Sequence, residues 1–317
     1  MGGQVDRWDR VGRVAAYAAA LALTPYLLIK VSWVVGSLLG LLPVGAGFGK
    51  TEWVVLNCAT IGMAGIGIAV ALALVRPWGM RIPGAPLAFC AWVGTGFLVP
   101  VLPYAVLSSL LGSADSGPES GSDVGPSMPV WEAALVQIGF VGMGLGLAVA
   151  LPAYLRRRWP DAFAGRLGDG GGGSPGALPW TVVVGSAVGL IWLYWAVGGT
   201  AGVAHRGERD LAWYVLSGLF GFWALVASAA TWAAVRGRPA RVPRWGPMVL
   251  GWLGSGSLFA WSGWKLPFTL YLAVVRPAGA ALPENLALAA VLHVAAVAAG
   301  AAMLRALVRT RQVPLGS

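Results

Sequence analysis

Two lysines lie inside long apolar stretches and are the first candidates for chemistry in this sequence. Lys30 lies about 16 residues into the first apolar stretch, and Lys265 lies about 19 residues into the seventh. A lysine at the centre of a membrane helix costs about 2.5–3.5 kcal/mol, so its charge either extends to the lipid headgroups or serves a binding role. Lys265 is the better candidate because Pro267 follows it and can free backbone carbonyls nearby.

Acidic residues stand at the starts of four predicted helices. Glu52 and Asp210 precede the second and sixth helices, whereas Glu132 and Glu284 open the fourth and eighth. One explanation is capping, since a carboxylate at a helix amino terminus is favoured by about 0.3–1 kcal/mol. A second is a charged outer mouth, in which these acids are the partners of Lys30 and Lys265 if the lysines face the bundle interior. A third is catalysis, in which Glu52 or Asp210 protonates an isoprenoid chain and indole faces stabilise the carbocation.

Tryptophan is abundant, with 17 residues in 317. Several fall within apolar stretches, where they either form an aromatic core or line a cavity for a small apolar molecule. A third possibility is a structural subunit with no cavity. The predicted ligand-binding residues are Lys30, Trp33, Trp195, Trp261, Trp264 and Lys265.

Other chemistry finds no support in the residue pattern. The sequence contains no phosphate-binding loop, catalytic triad or zinc-ligand spacing, which argues against hydrolase and ATPase activity. We therefore expect no metal and no cofactor. His293 lies in the eighth apolar stretch, where it either relays protons or is held by a structural hydrogen bond.

The composition determines the fold class. Hydrophobic residues make up 57% of the chain and charged residues 11%, which is incompatible with a water-soluble surface. A membrane helix needs about 20 mainly apolar residues. We predict an all-α, polytopic integral membrane protein with eight transmembrane helices, near 14–43, 53–75, 86–111, 130–154, 179–200, 211–235, 246–275 and 284–308.

The basic residues predict the orientation. Sixteen lysines and arginines lie at the ends of the helices on the side of the two termini, and four lie on the other side. The positive-inside rule therefore places both termini in the cytoplasm of a cell-membrane protein. Because this explains the net charge of +10, we expect membrane lipid and an apolar small molecule as partners, and no nucleic acid.

The two halves of the chain resemble each other. Adding 160 to the residue number maps Trp53 to Trp213 and Gly96 to Gly256, and adding 162 maps Trp33 to Trp195. Four crossings in each half predict a parallel repeat about an axis along the membrane normal. The predicted domains are a first repeat at 1–160, a glycine-rich cytoplasmic linker at 161–178 and a second repeat at 179–317.

A short segment of the second half resembles a known family. The string Tyr194-Trp195-Ala196-Val197-Gly198-Gly199-Thr200-Ala201-Gly202 is similar to the signature of small bacterial four-helix membrane domains of unknown function. In that family, an aromatic-Trp-Ala-Leu-Gly-Gly string lies in the first helix. The resemblance implies a fused tandem copy and implies no activity.

Overall fold

The structure is a computed structural model that describes residues 2–44, 49–110, 130–158, 164–170, 179–275 and 282–310. These residues form α-helices, short 3-10 turns and loops, with no β-strand among them. The α-helices of this part of the chain are α1 (Gly2–Leu38), α2 (Lys50–Ala73), α3 (Pro77–Arg81), α4 (Gly84–Leu110), α5 (Val130–Arg158), α6 (Trp180–Ala196), α7 (Leu211–Arg236), α8 (Trp245–Val275) and α9 (Leu286–Arg309).

Seven of the described helices are long and apolar enough to cross a membrane, as expected of a multi-pass membrane protein. The predicted fifth crossing corresponds to α6, which is apolar but has only 17 residues. The seven segments are Asp9–Leu38, Lys50–Ala73, Gly84–Tyr104, Ala134–Leu155, Leu211–Arg236, Trp245–Val275 and Leu286–Arg309.

Helix α6 ends before the predicted boundary because two glycines follow it. Gly198 has φ 98°, in the left-handed region that favours glycine. Its amide donates to the carbonyl of Trp195, and the amide of Gly199 donates to the carbonyl of Tyr194. This is a Schellman motif, which satisfies two helix-end carbonyls and turns the chain away from the helix axis.

The first compact unit contains Met1–Ala91 and Val106–Arg158. Its α1 packs against both α2 and α5. At Gly146 of α5 an added Cβ would lie 2.6 Å from Ala19 Cβ, so the two backbones approach closely through small residues. Arg157 closes one end of the unit by donating to the carbonyl of Leu74 and pairing with Asp9 at 3.6 Å.

The second compact unit contains Trp159–Ser317 together with Trp92–Ala105, the middle of α4. Helices α6 to α9 pack in chain order, and α6 also contacts α9. Part of the predicted linker is described, and it is bonded to this unit: the amide of Leu167 donates to the carbonyl of Val242. The rest of that linker, 161–163 and 171–178, lies outside the described residues.

Within the second unit, Trp92–Ala105 crosses α8 at very close range. A Cβ added to Gly96 would lie 2.3 Å from the carbonyl carbon of Gly256. The indole of Trp92 donates to the hydroxyl of Ser255 at 3.1 Å, and the indole of Trp261 donates to the carbonyl of Phe97 at 3.0 Å. Glycine at both crossing positions lets the indoles reach these acceptors.

Candidate functional site

Two loops at one end of the second unit are bonded to each other and position an acidic residue. The amides of Ala204 and His205 both donate to the carbonyl of Pro283, and the amide of Asn285 donates to the carbonyl of Gly202. Gly202 has φ 80°. These bonds hold Glu284, which precedes the N-cap of α9, beside the start of α7.

Glu284 is bonded to one of two neighbouring tryptophans. Its Oε1 accepts a hydrogen bond from Trp213 Nε1 at 2.8 Å. The ring centre of Trp213 lies 6.2 Å from that of Trp195, whose own indole donates to the carbonyl of Ala201 at 2.8 Å. A buried indole needs an acceptor, so both rings are fixed in orientation as well as in position.

A small cavity lies next to this cluster, with a volume of about 20 Å³. That is space for about one ordered water. Aromatic and aliphatic side chains form the apolar part of the wall, and the polar groups come from α7, α8, α9 and the loop before α9. The lining residues that matter here are Trp192, Trp195, Phe220, Trp261, Lys265, Glu284 and His293.

Charged and polar side chains on α8 and α9 meet at the cavity. Lys265 Nζ lies 5.5 Å from the ring centre of Phe220. His293 Nδ1 lies 3.3 Å from Ser262 Oγ, and its ring centre is 6.3 Å from that of Trp192. The cavity therefore combines apolar walls with one ammonium, one carboxylate and one imidazole, a composition typical of small-molecule sites.

The first unit contains a comparable cluster of two tryptophans, a glutamate and a lysine. Trp33 and Trp53 stack with ring centres 5.6 Å apart, and Trp33 Nε1 donates to Glu132 Oε1 at 2.9 Å. Lys30 is 1% exposed, and its Nζ lies 4.2 Å from the ring centre of Trp33. The charge thus lies against an indole face, where a desolvated cation gains about 2 kcal/mol.

The two predicted catalytic acids stand apart from these clusters. Asp210 is the N-cap of α7, and its Oδ1 accepts from the amide of Trp213 at 2.7 Å. Glu52 Oε2 accepts from the amide of Gly49 at 3.1 Å at the start of α2. Both side chains are exposed, and both occupy the capping geometry that acids favour.

The other predicted site residues fall into two groups. Lys30 and Trp33 lie together in the first unit, whereas Trp195, Trp261 and Lys265 line the cavity of the second. Trp264 is half-buried and is not among the residues that line this cavity.

Several site residues were not predicted as such from the sequence. Trp192 and Phe220 form much of the cavity wall. Glu132 and Glu284 were expected only as possible partners of the lysines, and here they accept hydrogen bonds from indoles. The offset of 160 that pairs Trp53 with Trp213 was a usable signal for that second tryptophan. The contact of Trp213 with Glu284 depends on loop folding, which no local pattern indicates.

The structure gives the string Tyr194–Gly202 a physical explanation. The Tyr194 hydroxyl accepts from the amides of Thr200 and Ala201 at 3.1 and 3.2 Å, and Trp195 binds the carbonyl of Ala201. A Cβ on Gly202 would lie 2.2 Å from Leu288 Cδ2. The aromatic residues and glycines of this string therefore build the turn that fixes the Trp195 wall of the cavity.

Comparison with protein-family models, with curated proteins and with solved structures gave no match to this chain.

Proposed function

We propose that this chain is a cell-membrane protein with eight crossings, arranged as two parallel four-helix repeats with both termini in the cytoplasm. At a rise of about 1.5 Å per residue, α6 spans about 25 Å, and its flanking residues can complete a crossing. The equivalent positions of Trp33, Trp53 and Trp195, Trp213 in their units support the repeat. We include in this proposal the similarity of the segment Tyr194–Gly202 to the family of small bacterial four-helix membrane domains.

Within this architecture, the protein binds or passes a small, mainly apolar molecule through the Trp-lined cavity of the second unit. The observation that carries this proposal is the convergence of three indoles with Lys265, Glu284 and His293 around one void. Ionisable side chains are costly at membrane depth and commonly mark ligand or ion pathways there. The aromatic walls suit an apolar body, and the polar groups suit one polar end.

The size of the void limits what it holds without rearrangement. About 20 Å³ admits one water-sized group, so the body of a larger molecule requires movement of a wall side chain. Ligand binding is therefore expected to change the environment of Trp192, Trp195 or Trp261.

The alternative, a membrane-embedded terpene-type cyclase, has less support in this geometry. The proposed proton donors Glu52 and Asp210 cap helices at exposed positions and are not among the residues that line the void. A cyclase would instead need Glu284 as its acid, and that carboxylate already accepts the indole hydrogen of Trp213. We therefore favour a non-catalytic binding or transport role.

Filling the void tests the proposal. Ala289 is 4% exposed and lines the cavity, so Ala289→Val adds two methyl groups to the space. Ala298→Val makes the same change at an exposed position of the same helix and is the matched control. Both proteins are purified in detergent, and their lipid extracts are compared by mass spectrometry with that of the unchanged chain.

We expect a small molecule that co-purifies with the unchanged chain and with Ala298→Val but is depleted at least about tenfold with Ala289→Val, because one overfilled methyl pair costs more than 1 kcal/mol. Equal recovery from all three folded proteins would contradict a ligand in this cavity.

Membrane topology is tested separately with reporters fused near Gly170, which are expected to report a cytoplasmic location.

A further inference from the structure

Lys265 lines the cavity of the second unit. Within the residues that the structure describes, its side chain contacts the Phe220 ring at 5.5 Å and forms neither an ion pair nor a hydrogen bond. A lysine ammonium carries three N–H donors, and contact with a ring face leaves them without acceptor oxygens. The ammonium can therefore still donate to a ligand oxygen.

Several other polar groups at the cavity have a hydrogen-bond partner. Glu284 accepts from Trp213, and His293 Nδ1 is within hydrogen-bonding distance of Ser262 Oγ. The indoles of Trp195 and Trp261 donate to backbone carbonyls outside the void. Lys265 differs from these groups, because no oxygen of the described residues accepts a hydrogen bond from its ammonium.

The lysine of the first unit provides an internal comparison. Lys30 is fully buried, and its ammonium lies 4.2 Å from the Trp33 ring centre, closer than Lys265 lies to Phe220. Lys265 is only partly buried and faces an open volume. Lys30 is thus enclosed by protein, whereas Lys265 borders a space that a ligand can occupy.

We infer that the ligand of this cavity carries a single uncharged oxygen, as an alcohol, aldehyde or ketone, at the end of an apolar body, and that Lys265 donates a hydrogen bond to that oxygen. The inference rests on the proposed function. One oxygen matches a void that holds one water. A neutral group also preserves the charge balance between Lys265 and Glu284, whereas a carboxylate would place a second negative charge in a poorly solvated site.

The test uses three probes with the same body: 9,10-dibromooctadecan-1-ol, 9,10-dibromooctadecanoate and 9,10-dibromooctadecane. Bromine quenches tryptophan fluorescence on contact, and indoles form the cavity wall. Each probe is titrated into the purified full chain in detergent at pH 8. We expect saturable quenching by the alcohol at about tenfold or more lower concentration than by the hydrocarbon, because a hydrogen bond from a charged donor is worth about that factor.

Lys265→Met removes the donor at similar size and is expected to reduce binding of the alcohol to the level of the hydrocarbon. Lys50→Met makes the same change at an exposed lysine and should leave the preference intact. If the methionine variant at position 265 does not fold, the comparison of the three probes on the unchanged chain still decides the question.

The possible failures are distinguishable. Equal saturable binding of alcohol and hydrocarbon, sensitive to Ala289→Val, would overturn the oxygen inference and leave the proposed cavity in place. Tighter binding of the carboxylate than of the alcohol would overturn the choice of a neutral group. Absence of saturable quenching by any probe would remove both the inference and the proposed function.

Discussion

The indole of Trp213 and the carboxylate of Glu284 are joined by a hydrogen bond of 2.8 Å, across 71 residues of sequence. In the first unit Trp33 and Glu132 are joined in the same way at 2.9 Å. The bond uses a different tryptophan of the pair in each unit: the one at the end of α1 in the first, and the one at the start of α7 in the second. Both units thus contain a hydrogen bond from an indole to a carboxylate, but the position of the donating tryptophan differs.

Trp213→Phe is expected to lower the free energy of unfolding by about 1.5–3 kcal/mol, because a hydrogen bond to a charged acceptor is lost and Glu284 loses its donor. Trp180→Phe alters a tryptophan that is 56% exposed and should change stability by less than about 0.5 kcal/mol. Thermal unfolding of the two purified variants measures the difference. Equal stability would mean that the bond contributes nothing to the fold.

Gly96→Ala is expected to destabilise the second unit by about 1–3 kcal/mol, since the new methyl meets the backbone of Gly256 and no side chain can rotate away. Gly94→Ala, two residues earlier, meets nothing within 4 Å and should be neutral or stabilising by up to about 1 kcal/mol. Unfolding midpoints in increasing denaturant separate the two. A milder effect at position 96 than at position 94 would be incompatible with this helix crossing.

Gly202→Ala combines two penalties, a φ of 80° and a Cβ only 2.2 Å from Leu288 Cδ2. Gly198→Ala has the left-handed penalty alone, with φ 98° and nothing within 4 Å. We expect a loss of about 1–2 kcal/mol at position 198 from backbone strain and a larger loss at position 202. Protease resistance of the loop before α7 should follow the same order, and the reverse order would contradict the described turn.

Asp210→Ala should cost about 1 kcal/mol of stability, whereas Asp210→Asn should cost little because asparagine caps helices as well as aspartate. The asparagine variant lacks an acid. If the variant is stable and retains ligand binding, Asp210 acts as a cap. A stable asparagine variant that loses turnover of an isoprenoid substrate would instead support the catalytic hypothesis for this acid.

Lys30→Ala is expected to lower stability by about 2–4 kcal/mol, since it removes a fully buried side chain and its contact with Trp33. Lys50→Ala removes an exposed lysine and serves as the control, with an expected change below about 0.5 kcal/mol. Chemical unfolding curves give both values. Similar curves for the two variants would show that Lys30 reaches solvent instead of the indole.

The sequence predicted the membrane-helix class because apolar length and composition are local properties. The predicted fifth crossing ended at residue 200, whereas α6 ends at Ala196. The difference arises because Gly198 adopts a left-handed conformation that terminates the helix. The pairing of Trp53 with Trp213 by an offset of 160 stays a prediction.

The candidate site was only partly predictable. The sequence indicated a binding role for Lys265, Trp195 and Trp261, because charged or large aromatic residues within apolar stretches commonly serve one. In the structure, these three residues line one cavity. The role of Glu284 was not predictable in the same way, because its position depends on the bonds of Asn285 and His205 to a distant loop. Acids at helix starts look alike in sequence, and long-range packing decides which of them meet indoles.

The assignment of Trp92–Ala105 to the second unit constrains any attempt to study that unit in isolation. A fragment beginning at residue 179 would deprive the Trp261 indole of the Phe97 carbonyl and leave the groove at Gly256 open to lipid. Adding Trp92–Ala105 as a separate synthetic peptide should restore the hydrogen bond to Trp261 and the packing at Gly256. The second unit as the structure describes it therefore includes a stretch of α4 that lies far from the rest of the unit in sequence.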